Sequence, residues 1–130
     1  MKRKHEPTVL VVEDNPSVRD VIGRILESAG FVVLCAQNGE EALVLSSEHG
    51  GRIDLVLTDV VMPVMGGRML AERLKLSRCG ARILYMSGWP RHVLERNGVP
   101  PWNGALIQKP FSVDELVARV RAALSSAVRD

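Results

Sequence analysis

Polar residues with useful chemistry stand directly after four short apolar segments of the sequence. Glu13 and Asp14 follow the first segment, Asp59 ends the third, Ser87 follows the fourth, and Lys109 follows the fifth. The carboxyl ends of parallel strands meet at one edge of a sheet, and open α/β sheets bind their ligands outside that edge. If the segments are strands, three carboxylates, a hydroxyl and an ammonium group converge there.

The three carboxylates favour a divalent metal ion. Carboxylates within a few ångströms of one another repel, and one of them stays protonated unless a cation neutralises the group. Mg²⁺ is a hard ion that accepts carboxylate, carbonyl and water oxygens and needs few protein groups. With Glu13 and Asp14 on the metal, Asp59 presents one oxygen as a ligand and the other as a nucleophile.

Asp59 is therefore the candidate acceptor of a phosphoryl group. Charge on the oxygens of a transferring phosphoryl group is stabilised by cations and hydrogen-bond donors, here Mg²⁺, Lys109 and Ser87. The product would be an aspartyl phosphate. Each residue taken singly is also compatible with an ordinary turn, helix cap or surface charge. Their coincidence at successive strand ends favours a site.

The elements that must position these residues alternate between strand-like and helix-like patterns. Short apolar segments are typical of strands covered on both faces, and 3/4 spacing of apolar residues predicts helices between them. The predicted strands are residues 8–12, 31–36, 53–58, 82–86 and 105–108. Five strands alternating with helices predict a parallel sheet with helices on both faces, and hence an α/β fold.

Local signals mark the ends of these helices. Asn15 and Pro16 predict the start of the first helix, and Gly30 predicts its end. Asn38 caps a second helix that runs towards His49, and a short helix is predicted at 91–96. Ser112 and Glu115 form a capping box before the last helix. The apolar residues of that helix, all predicted to be buried, are Val113, Leu116, Val117, Val120 and Leu124.

Length and charge limit the possible functions. The chain has 130 residues and a formal net charge of +2, which is typical of one domain and gives no support for nucleic acid or membrane as the main partner. No apolar run is long enough to span a bilayer. Residues 1–7 predict a flexible basic tail with no signal segment, and 8–130 predict the domain. Cys35 and Cys79 are expected to be reduced core thiols of a cytoplasmic protein.

Four segments spread over nearly the whole chain resemble the receiver domain of the two-component response regulator family. They are residues 11–15 (VVEDN), 57–67 (LTDVVMPVMGG), 86–88 (MSG) and 108–111 (QKPF). The resemblance implies a flavodoxin-like fold: a doubly wound, five-stranded parallel sheet with strand order 2-1-3-4-5 and helices on both faces.

The resemblance also implies a role for each residue of the site. Asp59 matches the phosphoacceptor, Ser87 the switch hydroxyl, and Lys109 the lysine of the site, with a cis peptide bond before Pro110. The Mg²⁺ ligands that it implies are Glu13 (through water), Asp14, Asp59 and the backbone carbonyl of Val61.

A receiver of this kind takes its phosphoryl group from a sensor histidine kinase or a histidine phosphotransfer protein. The reaction depends on Mg²⁺ and changes which partner the domain binds. Such a domain is not an enzyme, since it catalyses only its own phosphorylation and dephosphorylation. Its output comes from another molecule or from another part of a longer chain.

Two features depart from the usual family pattern: the residue at position 106 and the irregular segment 89–104, which covers the same surface. Leu106 stands three residues before the lysine, where receivers usually carry Tyr or Phe, which argues against a switch by rotation of an aromatic ring. The segments 84–89 and 106–111 are similar to receivers fused to sensor histidine kinases. An alternative is therefore a receiver cut from a hybrid kinase, acting as an intramolecular regulator or a phosphate sink.

Val61 and Trp89 are expected to flank the phosphoryl group. Neither side chain can orient an attacking water, and Trp89 could shield the site, so we expect a phosphoryl lifetime of hours. The alternative is that both residues simply pack.

Other classes of protein fit the sequence less well. Phosphohydrolases of the haloacid dehalogenase type need a second aspartate two residues after the nucleophile, where Val61 stands. A flavodoxin would bind phosphate after the first strand, where Glu13 and Asp14 would repel it. An interaction module independent of phosphorylation leaves the acidic and lysine residues unexplained. A weak homodimer is compatible with the fourth and fifth helices, and the arginines expected to be solvated are Arg119, Arg121 and Arg129.

Overall fold

The computed structural model describes residues 6–50, 52–76, 80–96 and 106–125. Within them, strands and helices alternate. The strands are β1 (Thr8–Val12), β2 (Val32–Ala36), β3 (Leu55–Asp59), β4 (Arg82–Ser87) and β5 (Leu106–Gln108). The helices are α1 (Pro16–Ser28), α2 (Gly39–Glu48), α3 (Gly67–Leu76), α4 (Arg91–Arg96) and α5 (Val113–Ser125).

The five strands form one sheet in the order β2-β1-β3-β4-β5. All four pairings are parallel, so the predicted α/β architecture and strand order are confirmed. The registers place Asp59 opposite Met86, and Ser87 opposite Gln108. The carboxyl ends of the central strands therefore lie side by side.

Alternation of side chains along the strands divides the core between the two faces of the sheet. On one face, Val9 and Val11 pack with Ile22 and Leu26 of α1 and with Leu116 of α5. On the other face, Leu10 and Val12 of β1 and Val56 of β3 pack in one cluster with Ala42 of α2 and Leu70 of α3. Burial of β1 and β3 on both faces explains why their sequences are almost entirely apolar.

The predicted helix caps are present. The Asn15 side chain accepts hydrogen bonds from the backbone N–H groups of Ser17 and Val18, at 2.9 and 3.1 Å. The Asn38 side chain accepts one from the Glu41 N–H at 2.7 Å. Gly30, at the end of α1, has a φ of +99°, a conformation that favours glycine. The Ser112–Glu115 capping box forms in both directions.

Some burial predictions were wrong. Val113 is 55% exposed because it is the first residue of α5, although its spacing to Leu116 and Val120 puts it on the same stripe of the helix. In α1, the apolar residue Val21 is also 55% exposed, although its neighbour Ile22 is buried. Cys35 is exposed rather than in the core because β2 is an edge strand.

Several sequence predictions lie outside the described residues. They concern residues 1–5 of the basic tail, Cys79, Ala105 at the predicted start of the fifth strand, and Arg129. Among the helices that the structure describes, none is long and apolar enough to cross a membrane.

Candidate functional site

Glu13 directly follows β1, and hydrogen bonds of its backbone N–H and carbonyl groups hold it in place. Its N–H donates to the Ala36 carbonyl at 3.1 Å, so the residue continues the line of the sheet. Its carbonyl accepts a hydrogen bond of 2.8 Å from the Arg19 guanidinium, and its side chain is 2% exposed. The Asn15 N–H donates to the Glu13 carboxylate at 3.1 Å. The hydrogen bond to Ala36 of β2 and the contact with Arg19 of α1 together fix the buried Glu13 carboxylate at the edge of the sheet.

Asp59 is the last residue of β3 and is also buried. The start of α3 packs directly on its backbone, since a Cβ atom at Gly67 would collide with the Asp59 carbonyl oxygen. The Gly67 N–H donates to the Val60 carbonyl at 2.9 Å. Glycine at this position therefore lets the loop close behind Asp59 without displacing it.

Lys109 joins the two buried carboxylates. Its Nζ atom lies 2.7 Å from Glu13 Oε1 and 2.7 Å from Asp59 Oδ1. Its backbone N–H donates to the Ser87 carbonyl at 2.7 Å, and the Lys109–Pro110 peptide bond is cis. The ammonium group thus sits between residues that are far apart in the chain.

The structure brings the three predicted acidic residues together. Glu13, Asp14 and Asp59 each offer a carboxylate oxygen, and these oxygens lie within 4.8 Å of one another. Asp14 is exposed, whereas the other two are buried. The arrangement is an acidic pocket with one solvent-facing side, and it has the ligand types that hard divalent ions prefer.

Burial and mutual repulsion act strongly on these groups. Burial raises the pKa of Asp59, its hydrogen bond with Glu13 raises it further, and Lys109 only partly opposes them, so the pKa is about 7. Burial also acts to raise the pKa of Glu13, but hydrogen bonds to Asp59, Lys109 and the Asn15 backbone outweigh it and lower that pKa. Of the two buried carboxyl groups, Asp59 is therefore the one that holds a proton as the pH falls below about 7.

Lys109 stays charged in this environment. Burial acts to lower its pKa, but hydrogen bonds to Asp59 and Glu13 and the charges of both groups raise it. One ammonium group therefore faces three carboxyl groups, and the pocket carries a surplus of negative charge.

Ser87 lies at the end of β4 and is buried, but its hydroxyl is bonded to its own loop. Its Oγ atom accepts a hydrogen bond from the Trp89 N–H at 2.9 Å and donates to the Trp89 carbonyl at 3.2 Å. The predicted switch hydroxyl is therefore next to the acidic pocket in strand order and is engaged elsewhere.

The remaining predicted residues surround this edge of the sheet. Val61 and Trp89 are each about half exposed. Leu106 is buried in β5, opposite Tyr85 in β4, and packs in a cluster with Val60 and Leu94. An aromatic ring is thus present beside the Leu106 position, but it belongs to the neighbouring strand.

Two residues of the site were missed from the sequence. Arg19 bonds the Glu13 carbonyl, and its place one turn after the Asn15 cap was the available signal. Gln108 donates hydrogen bonds to the Ser87 and Trp89 carbonyls. Its place directly before Lys109 puts it near the site but does not indicate these contacts.

Fold and site together define a flavodoxin-like domain with an acidic pocket and a lysine at the carboxyl edge of its sheet. Residues 9–121 match the response regulator receiver domain. The chain belongs to this family of two-component signalling domains.

Individual relatives agree with this assignment. The chain is 37% identical over 117 residues to the sensor kinase CckA of Brucella abortus (strain 2308), covering 90% of this chain and 12% of the kinase. The receiver domain of the hybrid histidine kinase CckA has a TM-score of 0.70 at 36% identity, covering 91% of this chain and 99% of that domain. The chemotaxis protein CheY4 of Vibrio cholerae has a TM-score of 0.76 at 25% identity, covering 92% and 99%.

Proposed function

We propose that this domain accepts a phosphoryl group on Asp59 from a phosphohistidine of a sensor histidine kinase or histidine phosphotransfer protein, and thereby changes its binding of a partner. The observation that carries the proposal is the position of Lys109, whose ammonium lies 2.7 Å from Asp59 and from Glu13 inside the acidic pocket. A buried carboxylate beside a fixed cation is suited to receive an anionic group.

The residues of the pocket fit Mg²⁺. Three carboxyl groups face one ammonium, and burial together with the hydrogen bond to Glu13 raises the pKa of Asp59 to about 7. Glu13, Asp14, Asp59 and the Val61 carbonyl would hold the ion. When bound, Mg²⁺ supplies positive charge that offsets both the carboxylates and the phosphoryl oxygens.

The transfer step uses Asp59 in its ionised form. A carboxylate oxygen of Asp59 forms a bond to phosphorus while the bond from phosphorus to the donor imidazole nitrogen breaks, and that nitrogen keeps the electron pair. Lys109 stabilises the charge of the phosphoryl oxygens through its ammonium. Ser87 can donate to the same oxygens only after its hydroxyl leaves the Trp89 carbonyl.

The domain, residues 8–130 behind a tail at 1–7, would act on no other substrate and so is not an enzyme in the usual sense. We place it in the cytoplasm with its phosphodonor, without a nucleic-acid or membrane contact of its own, and with at most a weak homodimer. The 37% identity to CckA supports a second candidate, a regulator or phosphate sink within a hybrid kinase. The limits of the native reading frame distinguish the two.

Incubation with Mg²⁺ and acetyl phosphate, followed by intact mass measurement, tests the proposal. The wild-type chain should gain one phosphoryl mass that is stable in acid and labile in base, and Asp59→Asn should gain none. Asp114→Asn, which changes an exposed carboxylate in the first turn of α5, should behave as the wild type. Absence of the gain in the wild type, or an equal gain in Asp59→Asn, would contradict the proposal.

A further inference from the structure

The Ser87 hydroxyl is held in a closed hydrogen-bond arrangement with the loop that follows β4. It accepts from the Trp89 N–H at 2.9 Å and donates to the Trp89 carbonyl at 3.2 Å. A hydroxyl has one proton to donate. While that proton is given to Trp89, Ser87 has none to offer a phosphoryl oxygen.

Gln108 fixes the carbonyl that receives this proton. It is the last residue of β5 and lies opposite Ser87 in the sheet register. Its side-chain Nε2 donates to the Trp89 carbonyl at 2.6 Å and to the Ser87 carbonyl at 3.2 Å. One amide group therefore joins β5, the end of β4 and the loop before α4.

We propose that Gln108 is a positioning residue that holds Ser87 turned towards Trp89 until Asp59 is phosphorylated. This inference rests on the proposed function of the same site. Because Gln108 keeps the Trp89 carbonyl in place, the hydroxyl keeps its acceptor, and release of Ser87 requires the loop to loosen as well. The movement of one hydroxyl is thereby coupled to the β4–α4 loop.

The coupling would link the site to the β4–α4 region without an aromatic residue at position 106. Leu106 is buried and packs with Leu94 of α4, so it offers no ring that could turn inward. Gln108, two positions after Leu106 in β5, instead reaches the start of this region through its hydrogen bond to the Trp89 carbonyl.

The first test uses the unphosphorylated protein and measures hydrogen exchange at the Trp89 amide by NMR. Loss of one hydrogen bond of ordinary strength corresponds to about a fivefold change in an equilibrium. Gln108→Leu should therefore speed exchange of the Trp89 amide about fivefold. Gln108→Glu, which keeps the side-chain size and loses the donor, should do the same. Gln37→Leu, at the only other glutamine in the sequence, should not. Unchanged exchange in both Gln108 variants would overturn the proposal.

The second test measures the rate of phosphorylation by acetyl phosphate in a double-mutant cycle. Gln108→Leu should raise the rate about fivefold when Ser87 is present and leave it unchanged in the Ser87→Ala background. An equal effect in both backgrounds would mean that Gln108 does not act through Ser87, and the proposal would be wrong. A wild-type chain that gains no phosphoryl group contradicts the proposed function instead, and the exchange measurement still decides the role of Gln108.

Discussion

The Lys109 ammonium lies between the two buried carboxylates of the pocket. Its ammonium contacts both buried carboxylates at 2.7 Å, whereas Asp14 remains exposed to solvent. The lysine therefore keeps Glu13 and Asp59 folded inside the protein before any metal or phosphoryl group arrives. It also competes with a metal ion for the same oxygens, because both are cations that need those oxygens as partners.

Replacement of Lys109 by methionine should separate these two effects. Lys109→Met should bind Mg²⁺ at least about tenfold more tightly, because a unit charge a few ångströms from the ion costs several kcal/mol even in a partly screened site. The same variant should be phosphorylated at least about tenfold more slowly, because the phosphoryl oxygens lose their ammonium partner.

Calorimetric titration with Mg²⁺ and the rate of mass gain with acetyl phosphate measure these two quantities. Lys75→Met, an exposed change in the last turn of α3, should alter neither. Weaker Mg²⁺ binding by Lys109→Met would show that the lysine organises the carboxylates more than it repels the metal.

We expect the lifetime of the proposed phosphoryl group to depend on Val61 and Trp89, which stand two residues after Asp59 and Ser87. Val61 has no polar side-chain atom and Trp89 has only an indole N–H donor, so neither can accept a proton from an attacking water and orient it, and the wild-type half-life should be hours. Val61→Asn adds an amide that can hydrogen-bond a water. It should shorten the half-life at least about tenfold, because positioning a reactant usually changes a rate by at least that factor.

Loss of the phosphoryl mass after removal of the donor gives this half-life. Val64→Asn is the matched control, because Val64 lies in the same loop, is 88% exposed, and has a φ of 69° that asparagine tolerates well. A wild-type half-life of a few minutes would contradict the prediction.

At the scale of secondary structure, the junction between β3 and α3 determines where Asp59 lies. A methyl group at Gly67 would collide with the Asp59 carbonyl oxygen, which is backbone and cannot move aside cheaply. Gly67→Ala should therefore lower the free energy of unfolding by about 1–3 kcal/mol, the usual cost of overpacking. It should also slow phosphorylation, because the shift falls on Asp59, the proposed acceptor.

Urea unfolding and the acetyl phosphate assay together check this prediction. Gly50→Ala is the control, since a Cβ atom there has nothing within 4 Å and should leave both quantities close to those of the wild type. If Gly67→Ala matches Gly50→Ala in both assays, the close approach to Asp59 has no energetic consequence.

The elements that could be predicted from the sequence are those whose signals are local. Apolar β-branched runs identified the strands, and Asn15, Asn38 and Ser112 identified helix starts through their own side chains. The exposure of single residues was harder to predict. Val21 and Val113 are apolar and yet more than half exposed, because the neighbouring elements decide which part of a helix is covered. Cys35 was misplaced for the same reason, since strand order decides which strand lies at an edge.

The candidate site shows the same division. The residues of the acidic pocket could be predicted because parallel strands bring their carboxyl ends to one edge whatever their loops do. The hydrogen bonds of Ser87 and Gln108 could not, because they depend on side-chain rotamers and on the path of the loop after β4. A glutamine before a lysine carries no sequence signal for a contact with Trp89.

For the whole molecule, the net charge of +2 hides a local surplus of negative charge. Glu13, Asp14 and Asp59 lie within one pocket, and Lys109 compensates only part of their charge. Folding therefore concentrates at one edge of the sheet a repulsion that the unfolded chain does not have. The acidic residues therefore lower the stability of the domain while they make the pocket attractive to cations.

This repulsion should make the metal-free protein less stable as the pH rises. The pKa of Asp59 is about 7 in the folded protein against 3.8 otherwise, so its stabilising proton is fully held at low pH and is lost as the pH passes 7. The lowered pKa of Glu13 acts in the opposite direction, but only near its ordinary value of 4.5. Between about pH 5.5 and pH 8, the free energy of unfolding should fall by about 1–2 kcal/mol.

Chemical unfolding in chelator at several pH values measures this slope, and two comparisons identify its origin. Asp59→Asn carries no titrating group at this position, so it should lose the slope and be more stable than the wild type at about pH 8, whereas Asp114→Asn should keep the slope. Mg²⁺ at one hundred times its Kd should add about 2.7 kcal/mol to the wild type. Because Asp59 is a proposed ligand, the same Mg²⁺ concentration should add less to the stability of Asp59→Asn. A slope that persists in Asp59→Asn would mean that the charge repulsion arises elsewhere than at the proposed phosphoacceptor.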